Sequence, residues 1–217
     1  MTERQICGWL FDVAKTDAAK VKLRTVDKRM AGRRARETRD RILESLGKLL
    51  ATMPYRDVRV TDIVREVGTS PATFYQYFAD VETAVLALAT DVAKDAAGLK
   101  SLAEGASMTG RAAAASVDKV VDGISDFWKG NEAVLRVLEN AALEGDARFK
   151  KVRATVLGGV AAPLAALAGE TKEGKANAAA LASLVAATAG TKAADAGATA
   201  AEVRSAVGRI VALGLKK

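Results

Sequence analysis

Between Thr69 and Tyr77 the chain reads Thr-Ser-Pro-Ala-Thr-Phe-Tyr-Gln-Tyr, a run rich in hydroxyl and amide groups and free of charge. Such groups hydrogen-bond to base edges and phosphate oxygens, and no carboxylate among them repels a polyanion. The rest of the chain offers little other chemistry. It has no histidine and a single cysteine, Cys7. That removes imidazole catalysis, histidine-bound metals, an intrachain disulfide and a cysteine-rich zinc site. Asp118, Asp122 and Asp126 stand four apart and read as the solvated stripe of one helix. Gly169–Ala176 approaches a phosphate-binding loop, but Ala176 stands where Ser or Thr would hold magnesium, and Ala/Leu helix rather than strand precedes it. No dinucleotide glycine fingerprint and no serine-hydrolase elbow occurs. The sequence therefore predicts no catalytic residue, no metal ligand and no cofactor.

The elements around Thr69–Tyr77 are legible from spacing. Ile42, Leu43, Leu46, Leu49, Leu50 and Met53 form one apolar stripe on a helix expected over 34–53, stopped by Pro54. After a loop at 55–60, Thr61 is the expected N-cap of a second helix carrying Ile63, Val64 and Val67. Gly68 closes it. Ser70 caps a third helix expected over Pro71–Phe78, with Pro71 at its first position, where the missing N–H costs nothing. Asp80 caps a fourth, Val81 to about Gly98. Two short helices around a glycine turn, braced by an earlier one, make a helix-turn-helix, whose second helix enters the major groove. On that helix Phe74 and Phe78 share a face and should be buried. Ala72, Thr73, Tyr75, Gln76 and Tyr77 are left for contact.

Charge agrees. The 217 residues carry a net charge of +7, and residues 1–41 alone carry +6. The densest part, Lys28 to Arg41, reads as a nucleic-acid arm at the end of a basic extension spanning 1–32. Residues 42–100 are net −2.

Arg36–Phe78, and Thr61–Phe78 above all, resembles the DNA-binding domain of the TetR family of bacterial transcriptional regulators. The resemblance covers about fifty residues and implies an all-α chain. A three-helix helix-turn-helix domain, 33–80, is expected to bind a double-stranded DNA operator. A helical domain, 81–217 (with 81–98 as the connecting helix), is expected to bind a small-molecule inducer and form a homodimer. By position, Thr61 and Ser70 fall where the family meets phosphate at helix starts, and Ala72 and Thr73 where it meets base edges. Tyr75 and Tyr77 fall at phosphate or sugar contacts. Arg33, Arg34 and Arg36 match the basic lead-in, and Thr69 and Gln76 complete the candidate set. A phosphate-contacting lysine of the family is replaced here by Val81, beside Asp80. Met30-Ala-Gly-Arg-Arg matches a normal family start, which makes Met30 a candidate initiator.

Beyond residue 100, helices are expected over 111–128, 132–143, from 147 past 156, and over 177–191 and 199–213. Gly158, Gly159 and Pro163 are expected to kink or break the third. Phe127, Trp128, Leu138 and Phe149 are the candidates for an apolar ligand pocket. The last two helices, rich in small residues, are the candidate dimer surface. The longest uncharged stretches, 154–169 and 176–191, hold 16 residues each, short of the roughly 18 strongly apolar residues of a membrane span. The expectation is a cytoplasmic protein with no membrane segment. The alternative reading is a helical ligand-binding or scaffolding protein that keeps the fold without operator binding.

Overall fold

The computed structural model describes residues 28–109, 112–169, 171–189 and 199–215, and these form helices with no strand among them. Residues 1–27, which hold most of the expected extension, lie outside the described residues, as do Arg111 and Thr191 at the ends of two expected helices.

Helix α1 spans Lys28–Thr52. It begins inside the stretch assigned to the extension, because Lys28–Arg36 contains good helix formers and no proline, with only Gly32 opposing. Met30, the candidate initiator, therefore stands on a helix. Ile42, Leu43, Leu46 and Leu50 are buried, and the helix ends two residues before Pro54. A single 3-10 turn, Tyr55–Asp57, leads to α2, Val60–Val67. Here the structure corrects the expected cap. Arg59 is the N-cap, in extended conformation. Asp62 Oδ2 accepts the Arg59 N–H at 3.3 Å, which puts the cap two residues ahead of Thr61. Gly68 ends α2 in the left-handed conformation, φ 72°, which glycine adopts without a Cβ penalty. Ser45, buried on α1, lies 3.2 Å from both the Ile63 carbonyl and Glu66 Oε2 and joins the two helices.

Helix α3 is Pro71–Tyr75, three residues shorter than expected. The coil continues beyond it, with Tyr77 N–H donating to the Phe74 carbonyl at 2.9 Å. This is an i→i−3 bond, so the last turn tightens and the α pattern ends early. Asp80 caps α4, Val81–Gly98, accepting the Thr83 N–H at 2.6 Å.

The second layer is α5 (Ala112–Gly130), α6 (Glu132–Leu143), α7 (Ala147–Ala168), α8 (Lys172–Ala189) and α9 (Ala200–Gly214). Helix α7 is not broken. Pro163 lies inside it, and Val156, Gly159, Val160, Pro163 and Leu164 are all buried. Packing on that face outweighs the missing backbone bond, whose acceptor would have been Gly159. A methyl placed on Gly159 would stand 2.6 Å from the Ala96 backbone, so α4 and α7 touch main chain to side-chain-free main chain. By length and composition α7 could cross a membrane, contrary to expectation. One face of it, from Phe149 to Ala168, is buried in the core, and Arg148, Lys150, Lys151 and Arg153 crowd its first turns. Helix α8 starts five residues earlier than expected, with Thr171 Oγ1 accepting the Gly174 N–H at 3.0 Å. Gly174, Lys175 and Ala176 are therefore helical, and the phosphate-loop reading loses its loop; Glu170 lies outside the described residues. Helix α9 buries Val207 and Val211 and leaves Ile210 and Leu213 exposed.

Polar ties join α1 to α4 and the first layer to the second. Both Arg39 Nη atoms donate to Asp91 Oδ2 at 3.2 Å, Arg56 pairs with Glu144 at 3.1 Å, and Arg148 pairs with Glu82.

Candidate nucleic-acid interface

Local chemistry builds the recognition surface. Ser70 Oγ accepts the Thr73 N–H at 3.2 Å and lies 3.0 Å from Thr73 Oγ1. The cap fixes the first turn of α3 and orients the Thr73 side chain, which is half-buried. Phe74 and Phe78 are buried with centroids 5.7 Å apart, and Arg39 lies 5.9 Å over the Phe78 ring. This core anchors the inner face of α3. Phe74 also meets Tyr75 edge-on, at 5.6 Å and 89°, which holds Tyr75 outward with 58% of its surface exposed. Ser70, Ala72 and Gln76 are exposed, Thr69 is half-buried, and Tyr77 is half-buried against the core. Thr61 is exposed on the first turn of α2, though not at its cap. The outward face from Thr69 to Gln76 is thus neutral, and its polar groups are hydroxyls and an amide.

Most neighbouring cations are already engaged. Lys48 pairs with Glu44 at 2.9 Å, Arg65 with Asp62, and Arg41 donates to the Val67 carbonyl. Arg33 pairs loosely with Glu37 at 3.5 Å. Among the described residues Arg34, Arg36 and Arg59 are exposed and have no acidic partner. Spacing alone points to Thr61 as the cap and so passes over Arg59. The signal was Asp62, three residues after Arg59.

The candidate pocket residues separate. Trp128 is buried and lines a cavity of about 300 Å³ between α6, α7 and α8. Phe149 and Leu138 are buried in the core and Phe127 packs half-buried against it, away from that cavity. Of the four expected lining residues only Trp128 lines this cavity, where its apolar neighbours are Leu135 and Ala186. The facing wall is charged: Glu132, Arg136, Glu139 and Arg153, with Arg153 Nε donating to Glu139 Oε2 at 2.6 Å. Among the described residues no group of three or more acidic or cysteine side chains is placed to hold a metal ion.

Residues 42–88 match the family model described as bacterial regulatory proteins, tetR family, and residues 99–217 match the tetracyclin repressor-like C-terminal domain. The chain belongs to the TetR family. This TetR-family chain also shares its fold with solved structures. A TetR-family transcriptional regulator from Streptomyces coelicolor aligns with TM-score 0.61 at 14% identity, over 83% of this chain and 78% of that one. A candidate regulator of the family from Mesorhizobium loti gives 0.64 at 14% identity, over 84% and 96%. Another from Rhodococcus sp. gives 0.59 at 19%, over 83% and 100%. No curated protein matches the sequence. The two family matches place the α2–turn–α3 unit in the regulator domain of this TetR-family chain, and the α6–α8 cavity in its C-terminal domain.

Proposed function

We propose that the protein is a homodimeric DNA-binding repressor, released from its operator by a small molecule held in the α6–α8 cavity. The observation that carries this reading is the α3 surface, where a serine-capped, aromatic-anchored helix turns Ala72, Tyr75 and Gln76 to solvent. Helix N-termini with free N–H groups favour phosphate, and neutral polar side chains behind them suit base edges. Thr69, Ser70, Thr61, Tyr77, Arg33, Arg34, Arg36 and Arg59 flank it as backbone contacts, with Thr73 turned toward the bases. The protein acts where DNA is, in the cytoplasm, and performs no catalysis.

The dimer is supported by what α8 and α9 leave open. Ala176, Ala179 and Ala180 are exposed on α8. On α9, Ile210 and Leu213 are 47% and 65% exposed. Small residues allow close helix approach, and large exposed aliphatics on a terminal helix suit burial by a second copy. Selection from a random duplex library tests the whole reading. A near-palindromic site bound with a steep salt dependence is expected. If no duplex is enriched, the chain is a helical ligand-binding protein without an operator.

A further inference from the structure

Arg136 sits where three features meet. It lines the α6–α8 cavity beside Trp128, and it lines a second cavity of about 360 Å³ between α1, α4 and the α5–α6 turn. It also crosses to α1, where its Nη2 donates to the Leu50 carbonyl at 3.1 Å. That carbonyl is special for a reason written in the sequence. In a helix it would accept from the N–H four residues on, but residue 54 is proline and has none. Arg136 supplies the missing donor from the other domain.

The guanidinium has donors to spare. Its nearest acid, Glu132, is 3.9 Å away and sits in the first turn of α6, where the helix N-terminus already favours negative charge. The other cavity arginine, Arg153, is committed to Glu139. Arg136 is therefore the under-coordinated cation of the cavity wall. An anionic acceptor makes a stronger, shorter bond to guanidinium than a neutral carbonyl does.

We infer that the cavity takes an amphiphilic anion, an apolar ring or chain against Trp128 with a carboxylate-like or sulfonate-like head on Arg136. Binding draws Arg136 off the Leu50 carbonyl and so unties α1 from α6. This rests on the proposed effector role of the cavity and names its ligand class and its route to the DNA-binding helices. The head group prefers the untied state because only there is the guanidinium wholly its own, which is the differential affinity that regulation requires.

The test uses the full chain with Trp9→Phe, leaving Trp128 the sole tryptophan of the two. Two probes share an aromatic body: anilinonaphthalene sulfonate, which is anionic, and N-phenylnaphthylamine, which is neutral. Trp128 fluorescence reads cavity occupancy, and a duplex enriched from a random library reads DNA binding. The sulfonate is expected to bind at least tenfold tighter than the neutral probe and to lower duplex affinity at least fivefold. In Arg136→Gln the tenfold preference disappears and the sulfonate changes duplex affinity less than twofold. Arg136→Lys keeps the charge and restores part of the preference. Equal binding of the two probes to the wild type overturns the ligand class. Equal release of DNA from wild type and Arg136→Gln overturns the tie. A wild type that enriches no duplex overturns the repressor reading instead, while the probe comparison still decides the ligand class.

Discussion

The Thr73 N–H and hydroxyl both face Ser70 Oγ, which fixes the side chain on the first turn of α3. Thr73→Ala keeps the backbone cap and removes the side-chain hydroxyl and methyl. It should change which base is preferred at one half-site position, by about 1–3 kcal/mol, as read from binding across an operator library. Tyr77→Phe should weaken all sequences alike, because its hydroxyl is assigned to backbone. Arg34→Ala, Arg36→Ala and Arg59→Ala should each flatten the salt dependence, by about 0.9 in log–log slope for every phosphate left unneutralised. An unchanged slope in all three would make them solvated surface. Much of this face was legible because it is local. Ser70, Pro71, Phe74 and Phe78 declare cap, first position and core by spacing alone. Arg59 was not legible, because which of two nearby candidates starts a helix depends on whether Asp62 or Thr61 supplies the bond. Arg136 gave no local signal, since its partner is 86 residues away.

Two elements carry predictions of their own. At the α4–α7 crossing, a methyl on Gly159 would stand 2.6 Å from Ala96 main chain, which cannot swing aside as a side chain end can. Gly159→Ala should destabilise the fold by about 1–3 kcal/mol, while Gly158→Ala, with nothing within 4 Å, should be neutral or slightly stabilising in thermal melts. At the start of α7, hydrogen bonds from the Arg148 side chain, then from the Arg148 and Phe149 N–H groups, hold the Asp146 carboxyl at about 2. The folded value lies below the ordinary one of about 3.9. The stabilisation is therefore complete above pH ~4 and is lost as pH falls toward 2. Asp146→Asn should remove that part of the Tm–pH slope while keeping the cap. The helices themselves were largely readable from periodicity. The continuity of α7 through Pro163 was not, because it rests on burial against another helix. The early start of α8 depended on Thr171 acting as a cap.

At the scale of the molecule, the dimer is the assignment most exposed to test. Ile210→Lys with Leu213→Lys should yield monomers in sedimentation at micromolar concentration and lose tight operator binding, with helix content unchanged. A wild type that sediments as a monomer and binds DNA as one rules out the symmetric arrangement. The Gly159–Ala96 contact bears on how such a dimer would work. Helix α4 leaves the recognition unit at Val81 and meets the Gly159 main chain at Ala96, fifteen residues on, or roughly 22 Å at 1.5 Å per residue. The close contact leaves α4 no room to sink toward α7 there, and the Arg148–Glu82 pair ties its Val81 end to the same helix. A tilt of the pair by about 5° would carry the Val81 end by roughly 2 Å over that length. That displacement is most of a hydrogen-bond length.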